Sequence, residues 1–320
     1  MSNARKLADN LPINGVANAE NILINGNFII SQRGNYSSAT AISTSTYYLD
    51  RWKTDISGVS ATIQNPSVDL PNGVTTKSAK IAASSSGTGY LQLHQWIEPQ
   101  PYMDNRQITI SAYVRSNNAN TRIRVEKTGG NVDGSNTHSG GGGWELLEET
   151  ITLPDNISSF RIGIIMWNGN AISISSGDYI EMAHFKAEFG PRRTPFEDEP
   201  YDVTLRKCQR YFYLETPTST DSSGRLGVCS HSTTVVFDHT LPVQMRIKPS
   251  LSLTSASLRI GDTVSQGFTT SSGTVAQNTY SGTQSITYIL GGFSGLTTYR
   301  TYLHEPDAAS PGMVKFDAEL

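Results

Sequence analysis

Apolar and polar residues alternate along most of this chain with a period of two, the repeat of a strand whose side chains point to opposite faces of a sheet. The stretch "QITISAYVRS" (107–116) is the cleanest case: Ile108, Ile110, Ala112 and Val114 point one way, and Thr109, Ser111, Tyr113 and Arg115 the other. "YYLDRWKTDI" (47–56), "GYLQLHQWIE" (89–98), "TRIRVEK" (121–127), "ELLEETITLP" (145–154), "SFRIGIIMW" (159–167) and "YIEMAHFKAEF" (179–189) continue the series. Ahead of them, "NILINGNFII" (21–30) reads as two apolar runs broken at Asn25-Gly26, a pair that favours positive φ in tight turns. Tracts such as "GGNVDGSNTHSGGGG" (129–143) and "NGNAISISSGD" (168–178) read as turns between strands. Many short strands with no helical stretch between them predict antiparallel pairing in two packed sheets, an all-β jelly-roll β-sandwich over residues 21–198.

The pattern breaks at "GPRRTPFEDEPY" (190–201), where Pro191, Pro195 and Pro200 fix φ and withhold backbone donors. The next stretch, "YDVTLRKCQRYFYLE" (201–215), changes period. Asp202 is a fair N-cap, and Tyr201, Leu205, Cys208 and Phe212 fall on one face of a short helix. These four are read as an inter-domain clasp. Strand-like runs then resume, in "LGVCSHSTTVVFDHTLPVQM", "SLSLTSASLRI", "SITYILGGF", "TTYRTYLH" and "GMVKFDAEL". Residues 199–320 are therefore expected to form a short linking helix and a second, smaller β domain. Residues 1–20 are polar and cannot bury a core alone, so they read as an extended attachment arm.

Composition narrows the partners. Of 320 residues, 17% are charged, and the net charge is −3. That balance argues against nucleic-acid binding, which needs a clustered positive field. No run approaches the roughly 20 apolar residues that span a bilayer, and the N-terminus lacks an apolar signal core, so neither membrane insertion nor export by a cleaved signal is expected. Two cysteines, Cys208 and Cys229, are too few for a disulfide framework or a tetrahedral Cys₄ zinc site, and read as reduced, buried thiols.

Candidate chemistry is sparse. The glycine run at 140–143 leads into a strand rather than a helix, and "GGFSG" (291–295) lacks the spacing of a nucleophile elbow. His231 and His239 stand eight apart on what reads as one strand, about 26 Å at 3.3 Å per residue, too far for a shared metal. The carboxylates Asp50, Asp55, Glu98, Glu126, Glu181 and Glu188 lie on different strands, and spacing alone does not place any two together for glycosidase chemistry. No catalytic residue, metal or cofactor is expected. Trp52, Trp96, Trp144 and Trp167 read chiefly as packing residues. Trp167, followed by Asn168 and Asn170, also has the form of a glycan contact, a ring face beside amides.

Four of these segments carry a resemblance. "NILINGNFIISQRG" with "YYLDRWK" resembles the opening of a family of bacteriophage and prophage virion structural proteins, N-L-L-(I/V)-N-G-x-F-x-x-x-Q-R-G followed by Y-x-x-D-R-W. "AEFGPRRTPFEDEPYDVTLRKCQRYF" is similar to that family's E-x-G-x-x-x-T-P-F-E and L-x-x-C-Q-R-Y-(Y/F), and "LPVQMRIKPSLSLT" to its L-P-V-x-M-R-x-x-P stretch. The segment "ARKLADNL" resembles the attachment arms of tail-fibre-like proteins of marine and cyanobacterial phages. The resemblance covers about residues 21–254. It implies a carbohydrate-binding-module-like jelly roll in a homotrimeric tail fibre or similar appendage, located in the virion and made in the host cytoplasm. The arm, through Arg5, Leu7 and Leu11, would dock onto another virion protein, the first sandwich would form the body, and the second domain would form the exposed tip that contacts host-surface glycans. A capsid decoration or head-fibre protein and a glycan-active enzyme are the alternatives. The family supplies no catalytic residues, and residues 255–320 match nothing in it.

Overall fold

The computed structural model describes residues 19–215, 225–262 and 267–320. The proposed arm residues Arg5, Leu7 and Leu11 lie outside the described residues. The chain divides into two compact units, one up to Thr204 and one from Leu205 to Glu319.

The first unit begins with β1 (Thr40–Ile42), β2 (Thr46–Leu49), β3 (Trp52–Ser57), β4 (Ala61–Gln64), β5 (Ser67–Asp69), β6 (Thr75–Lys77) and β7 (Ala79–Ala83). It continues with β8 (Gly87–Trp96), β9 (Gln107–Ser116), β10 (Thr121–Lys127), β11 (Gly130–Thr137), β12 (Trp144–Thr152), β13 (Phe160–Met166), β14 (Ile172–Ile174) and β15 (Tyr179–Phe189). One sheet runs β1-β4-β7-β15-β9-β12 and the other β11-β10-β13-β8-β3-β2, all antiparallel, with β5 and β6 as a separate hairpin. From β7 to β10 the chain crosses between the sheets at each connection, which makes the unit a jelly-roll sandwich. Inward residues of the two sheets, Ile81, Ile108, Ile110 and Val114 against Leu91, Leu93, Ile123, Val125, Ile162 and Ile164, form one core with Phe28, Trp52 and Phe185. The period-two reading of β9 holds residue by residue.

Three local expectations are corrected. Residues 21–30 form turns and bends throughout: the turn expected at Asn25-Gly26 is there, but the apolar runs on either side of it are not strands. Asn25 (φ 60°) is buried and gives up sheet pairing for a hub. Its side chain accepts from Ile30 N–H (3.0 Å) and donates to Ile30 O (2.9 Å) and Asp50 O (3.1 Å), while its carbonyl accepts from Trp52 Nε1 (2.9 Å). Gly26 is required because a Cβ there would lie 2.1 Å from Phe185 O. Asp50 accepts from the Gln32 side chain at 2.8 Å. The N-G-x-F, Q-R-G and D-R-W residues thus interlock as one scaffold. The other two corrections are β11 and β14, which lie inside tracts read as turns: backbone pairing with β10 and β8 recruits them despite weak side-chain patterns.

Helix α1 (Tyr201–Gln209) forms where the change of period predicted, but it is capped two residues earlier than expected: Thr204 N–H bonds to Pro200 O (3.1 Å), and Asp202 lies inside the first turn. Its buried face differs from the expected one. Thr204 and Cys208 are buried, Leu205 is half-buried and Tyr201 is 59% exposed. Phe212 is not helical at all: Tyr211 N–H bonds to Cys208 O (2.9 Å) and the chain turns into a strand. Neither is the proposed clasp tested by these positions.

That strand is β16 (Phe212–Leu214), followed in the second unit by β17 (Leu226–His231), β18 (Thr234–Thr240), β19 (Ser250–Leu253), β20 (Leu258–Asp262) and β21 (Gly267–Thr270). β22 (Thr274–Gln277), β23 (Ser285–Gly291), β24 (Thr301–His304) and β25 (Val314–Asp317) complete it. A three-stranded sheet, β16-β25-β19, packs with a seven-stranded one, β21-β20-β24-β17-β18-β23-β22, over a core that includes Phe237, Tyr288, Tyr302 and Phe316. Arg246, in the L-P-V-x-M-R stretch, donates to Ala318 O and Glu319 O at 2.9 Å, and its N–H bonds to Arg210 O (2.8 Å). The C-Q-R-Y and M-R residues therefore meet at the C-terminal strand. His231 and His239 sit on the two arms of a hairpin, not on one strand, and His239 is buried against Phe316 at 5.0 Å. Both cysteines are buried, and neither is in a disulfide.

Candidate functional site

Strands β8, β13 and β10 lie side by side, and their register decides which side chains share the outer face of the sheet. On β8, Tyr90, Gln92, His94 and Trp96 alternate with the core residues Leu91 and Leu93. Pairing sets three rows across the strands: Gln92, Ile165 and Arg122; His94, Gly163 and Arg124; Trp96, Arg161 and Glu126. Trp167 follows β13 and extends its ladder, since its N–H donates to Asn120 O at 2.9 Å. β3 adds Lys53 and Asp55 opposite His94 and Gln92, and β11 adds Asp133 opposite Arg124.

Aromatic rings stand at both ends of this face. Tyr90 and Trp167 meet edge-to-face at 5.8 Å, and Arg124 lies 5.6 Å from the Trp167 ring. At the other end Arg161 lies over Trp96 at 5.0 Å. Between them is a polar floor. Gln92 donates to Glu126 (2.9 Å), Arg161 donates to the other oxygen of Glu126, and Arg124 sits 3.4 Å from Glu126 and 3.3 Å from Asp133. Asp55 accepts from Tyr90 Oη (3.3 Å) and Thr44 Oγ1 (3.0 Å). Gly163 keeps the middle row low: a Cβ there would lie 2.6 Å from the Cβ of His94.

Electrostatics fix the protonation of this floor. Burial, then the charges of Arg161 and Lys53, hold His94 well below the usual imidazole value, so the ring is neutral near pH 7. Arg161 Nη1 lies 3.2 Å from His94 Nε2, and a guanidinium can only donate. His94 therefore carries its proton on Nδ1, which is buried without a hydrogen-bond partner among the described residues. Burial and then Asp55 raise Tyr90, which stays a protonated donor.

Of the residues expected from sequence, Trp167 lies on this face. Asn168 and Asn170 are exposed in the turn beyond it, where Asn168 Oδ1 accepts from Asn170 N–H at 3.2 Å. The Trp167 ring meets Tyr90 and Arg124 rather than those amides. Sequence reading missed Gln92, His94, Arg122, Arg124, Glu126 and Arg161 as a set. Their signal was present: in "GYLQLHQWIE" and "TRIRVEK" every second residue is long and polar or aromatic, too much for a merely solvated face. Trp52 is wholly buried against Phe185 (5.3 Å), and Trp144 faces Arg115 (5.0 Å) on the other sheet. Among the described residues, no three His, Cys, Asp or Glu side chains gather as a metal site, and no helix is long and apolar enough to cross a membrane.

No protein-family model matches the sequence, and no curated protein matches it closely enough to count. Solved structures do. The chain is similar to the enzymatically active domain of bacteriophage CBA120 tailspike protein 4, with 14% identity over 53% of this chain and 21% of that one, at a TM-score of 0.35. It thus spans about a fifth of the tailspike chain. It is also similar to the module TmCBM61, solved in complex with β-1,4-galactotriose, with 14% identity over 54% of this chain and all of that one, at a TM-score of 0.31. A third, described as CBM4, is 17% identical over 52% of this chain and 98% of that one, at a TM-score of 0.29. TM-scores this low carry no argument about function, and the sandwich rests on the sheet order described above.

Proposed function

We propose that this chain is a phage virion appendage whose first unit holds a host-surface glycan across the outer face of β8, β13 and β10. The observation that carries the reading is the arrangement of that face, where Tyr90 with Trp167 and Trp96 with Arg161 bracket a floor of amide, carboxylate, imidazole and guanidinium groups. Ring faces stack on the C–H groups of a pyranose, while fixed polar groups bond its hydroxyls. The virion setting is supported by the motif resemblance across residues 21–254. In that setting the arm (Arg5, Leu7, Leu11) docks onto another virion protein and the chain assembles as a homotrimer.

The test is adsorption. Purified full-length protein is expected to bind host cells and to compete with phage adsorption, and Trp167→Ala, folded as judged by thermal unfolding, is expected to do neither. Wild-type protein that ignores host cells, or a Trp167→Ala variant that competes equally well, would sink the glycan reading. Immuno-electron microscopy separates the locations, since labelling of the capsid shell instead of the tail would replace the tail fibre with a decoration protein.

A further inference from the structure

The three arginines on the outer face are not equivalent. Arg124 is engaged by Glu126 and Asp133, and Arg161 by Glu126 and the His94 ring. Lys53, the other cation on these rows, meets the ring of Tyr47 at 5.3 Å. Arg122 is half-buried, and its Nε is shut off from solvent without a hydrogen-bond partner. Among the described residues its side chain makes no hydrogen bond, ion pair or ring contact. A second donor on the same face, His94 Nδ1, is also unpaired, on a residue only 1% exposed.

Geometry places Arg122 beside the aromatic end. It pairs with Ile165 across β13, so Trp167, two residues further on, is its diagonal neighbour. Diagonal partners on adjacent strands stand roughly 7–8 Å apart, within reach of long side chains. We propose that the glycan held on this face is acidic, and that Arg122 takes its carboxylate or sulfate while the sugar ring stacks on Trp167. A guanidinium offers two parallel N–H donors that match a planar carboxylate, or two oxygens of a sulfate, and gains more from that pairing than from a neutral hydroxyl. This inference rests on the glycan reading above. Its alternative is that Arg122 only covers Ile165 with its stem and leaves its head in water.

The experiment titrates full-length protein with paired probes: oligogalacturonate against its methyl ester for carboxylate, and carrageenan oligosaccharide against agaro-oligosaccharide for sulfate. At least one acidic probe is expected to bind tenfold or more tightly than its neutral counterpart. Arg122→Gln should erase that preference, weakening the acidic probe by roughly 10- to 100-fold. Arg122→Lys should restore only part of it. Arg192→Gln, a change at an exposed arginine outside this face, should leave it unchanged. Equal or better binding of the neutral probes, with loss on Trp167→Ala, overturns the acidic ligand and keeps the glycan reading. Loss of the same size in Arg192→Gln, or none in Arg122→Gln, also overturns the role of Arg122. Failure of every probe and of host-cell binding overturns both.

Discussion

The charged groups on the two outer faces of the first sandwich are paired to different degrees. On the β9–β15 side, Lys186 donates to Thr194 Oγ1 (2.5 Å) and Pro195 O (3.0 Å) and sits 3.2 Å from Glu188. Glu188 in turn accepts from Thr194 N–H at 2.6 Å. The side chains of this pair are 4% and 1% exposed. Glu181 is closed in the same way by Ser78 (2.7 Å) and Arg115 (3.1 Å). Every charge in that set has its partner, and the segment after β15 is strapped onto the sheet by them. On the β8–β13–β10 side the network stops short, at Arg122 and at His94 Nδ1. A closed network fixes structure, whereas an open one keeps donors for something else to satisfy.

The comparison breaks first at its strongest point. Glu188→Ala leaves the buried Lys186 without its counter-charge and is expected to cost about 3–5 kcal/mol in urea unfolding. Arg122→Gln, on the open face, should stay within about 0.5 kcal/mol. A similar cost for both would end the distinction. The tryptophans give a parallel contrast. Trp52→Ala empties a core site and should cost about 3–5 kcal/mol. Trp167→Ala should cost far less in the same unfolding measurement, while abolishing host-cell binding.

A smaller effect is a pH dependence tied to His94. Its folded value lies below the ordinary one through burial, then Arg161 and Lys53. Above about pH 6.5 both folded and unfolded states hold a neutral ring, and this contribution to stability is fully present. As pH falls below that value the unfolded chain takes up a proton that the folded site refuses, so stability is lost down to the folded value. The loss is at most about 1.4 kcal/mol per pH unit. His94→Gln should reduce the slope measured by urea unfolding between about pH 7 and about pH 5. Part should persist, because burial also lowers His184. An unchanged slope would mean that His94 is not held neutral. Smallest of all, Asn168→Ala and Asn170→Ala should each change stability by less than about 0.5 kcal/mol. Their effect on host-cell binding decides whether the turn amides belong to the proposed glycan contact.

The site was half legible in the sequence for a physical reason. Period-two alternation assigns each residue to one of two faces, and it did so correctly for β9 and for Tyr90, Gln92, His94 and Trp96 of β8. It says nothing about which strands are neighbours. Trp167 was picked out with the amides next to it in sequence, whereas its ring partners, Tyr90 and Arg124, come from strands 77 and 43 residues away by their numbers. The helix shows the same limit. Its place just after the proline break was readable, although the cap is Pro200 and not Asp202; its end was not, because Tyr211, Phe212 and Tyr213 fit a helix stripe as well as a strand. Pairing of β16 with β25, about a hundred residues on, settles the matter.

By itself the sequence determined the all-β class, the strand faces, the proline break and the helix after it, all of which follow from local backbone chemistry and side-chain alternation. Only the tertiary structure decided that the Asn25-Gly26 turn becomes a buried hub, that Lys186 and Glu188 close on Thr194, and that the Arg122 side chain is left without a partner among the described residues. Those outcomes depend on which backbone and side-chain atoms meet across strands far apart in sequence, where hydrogen-bond closure and close packing are settled by register rather than by local preference.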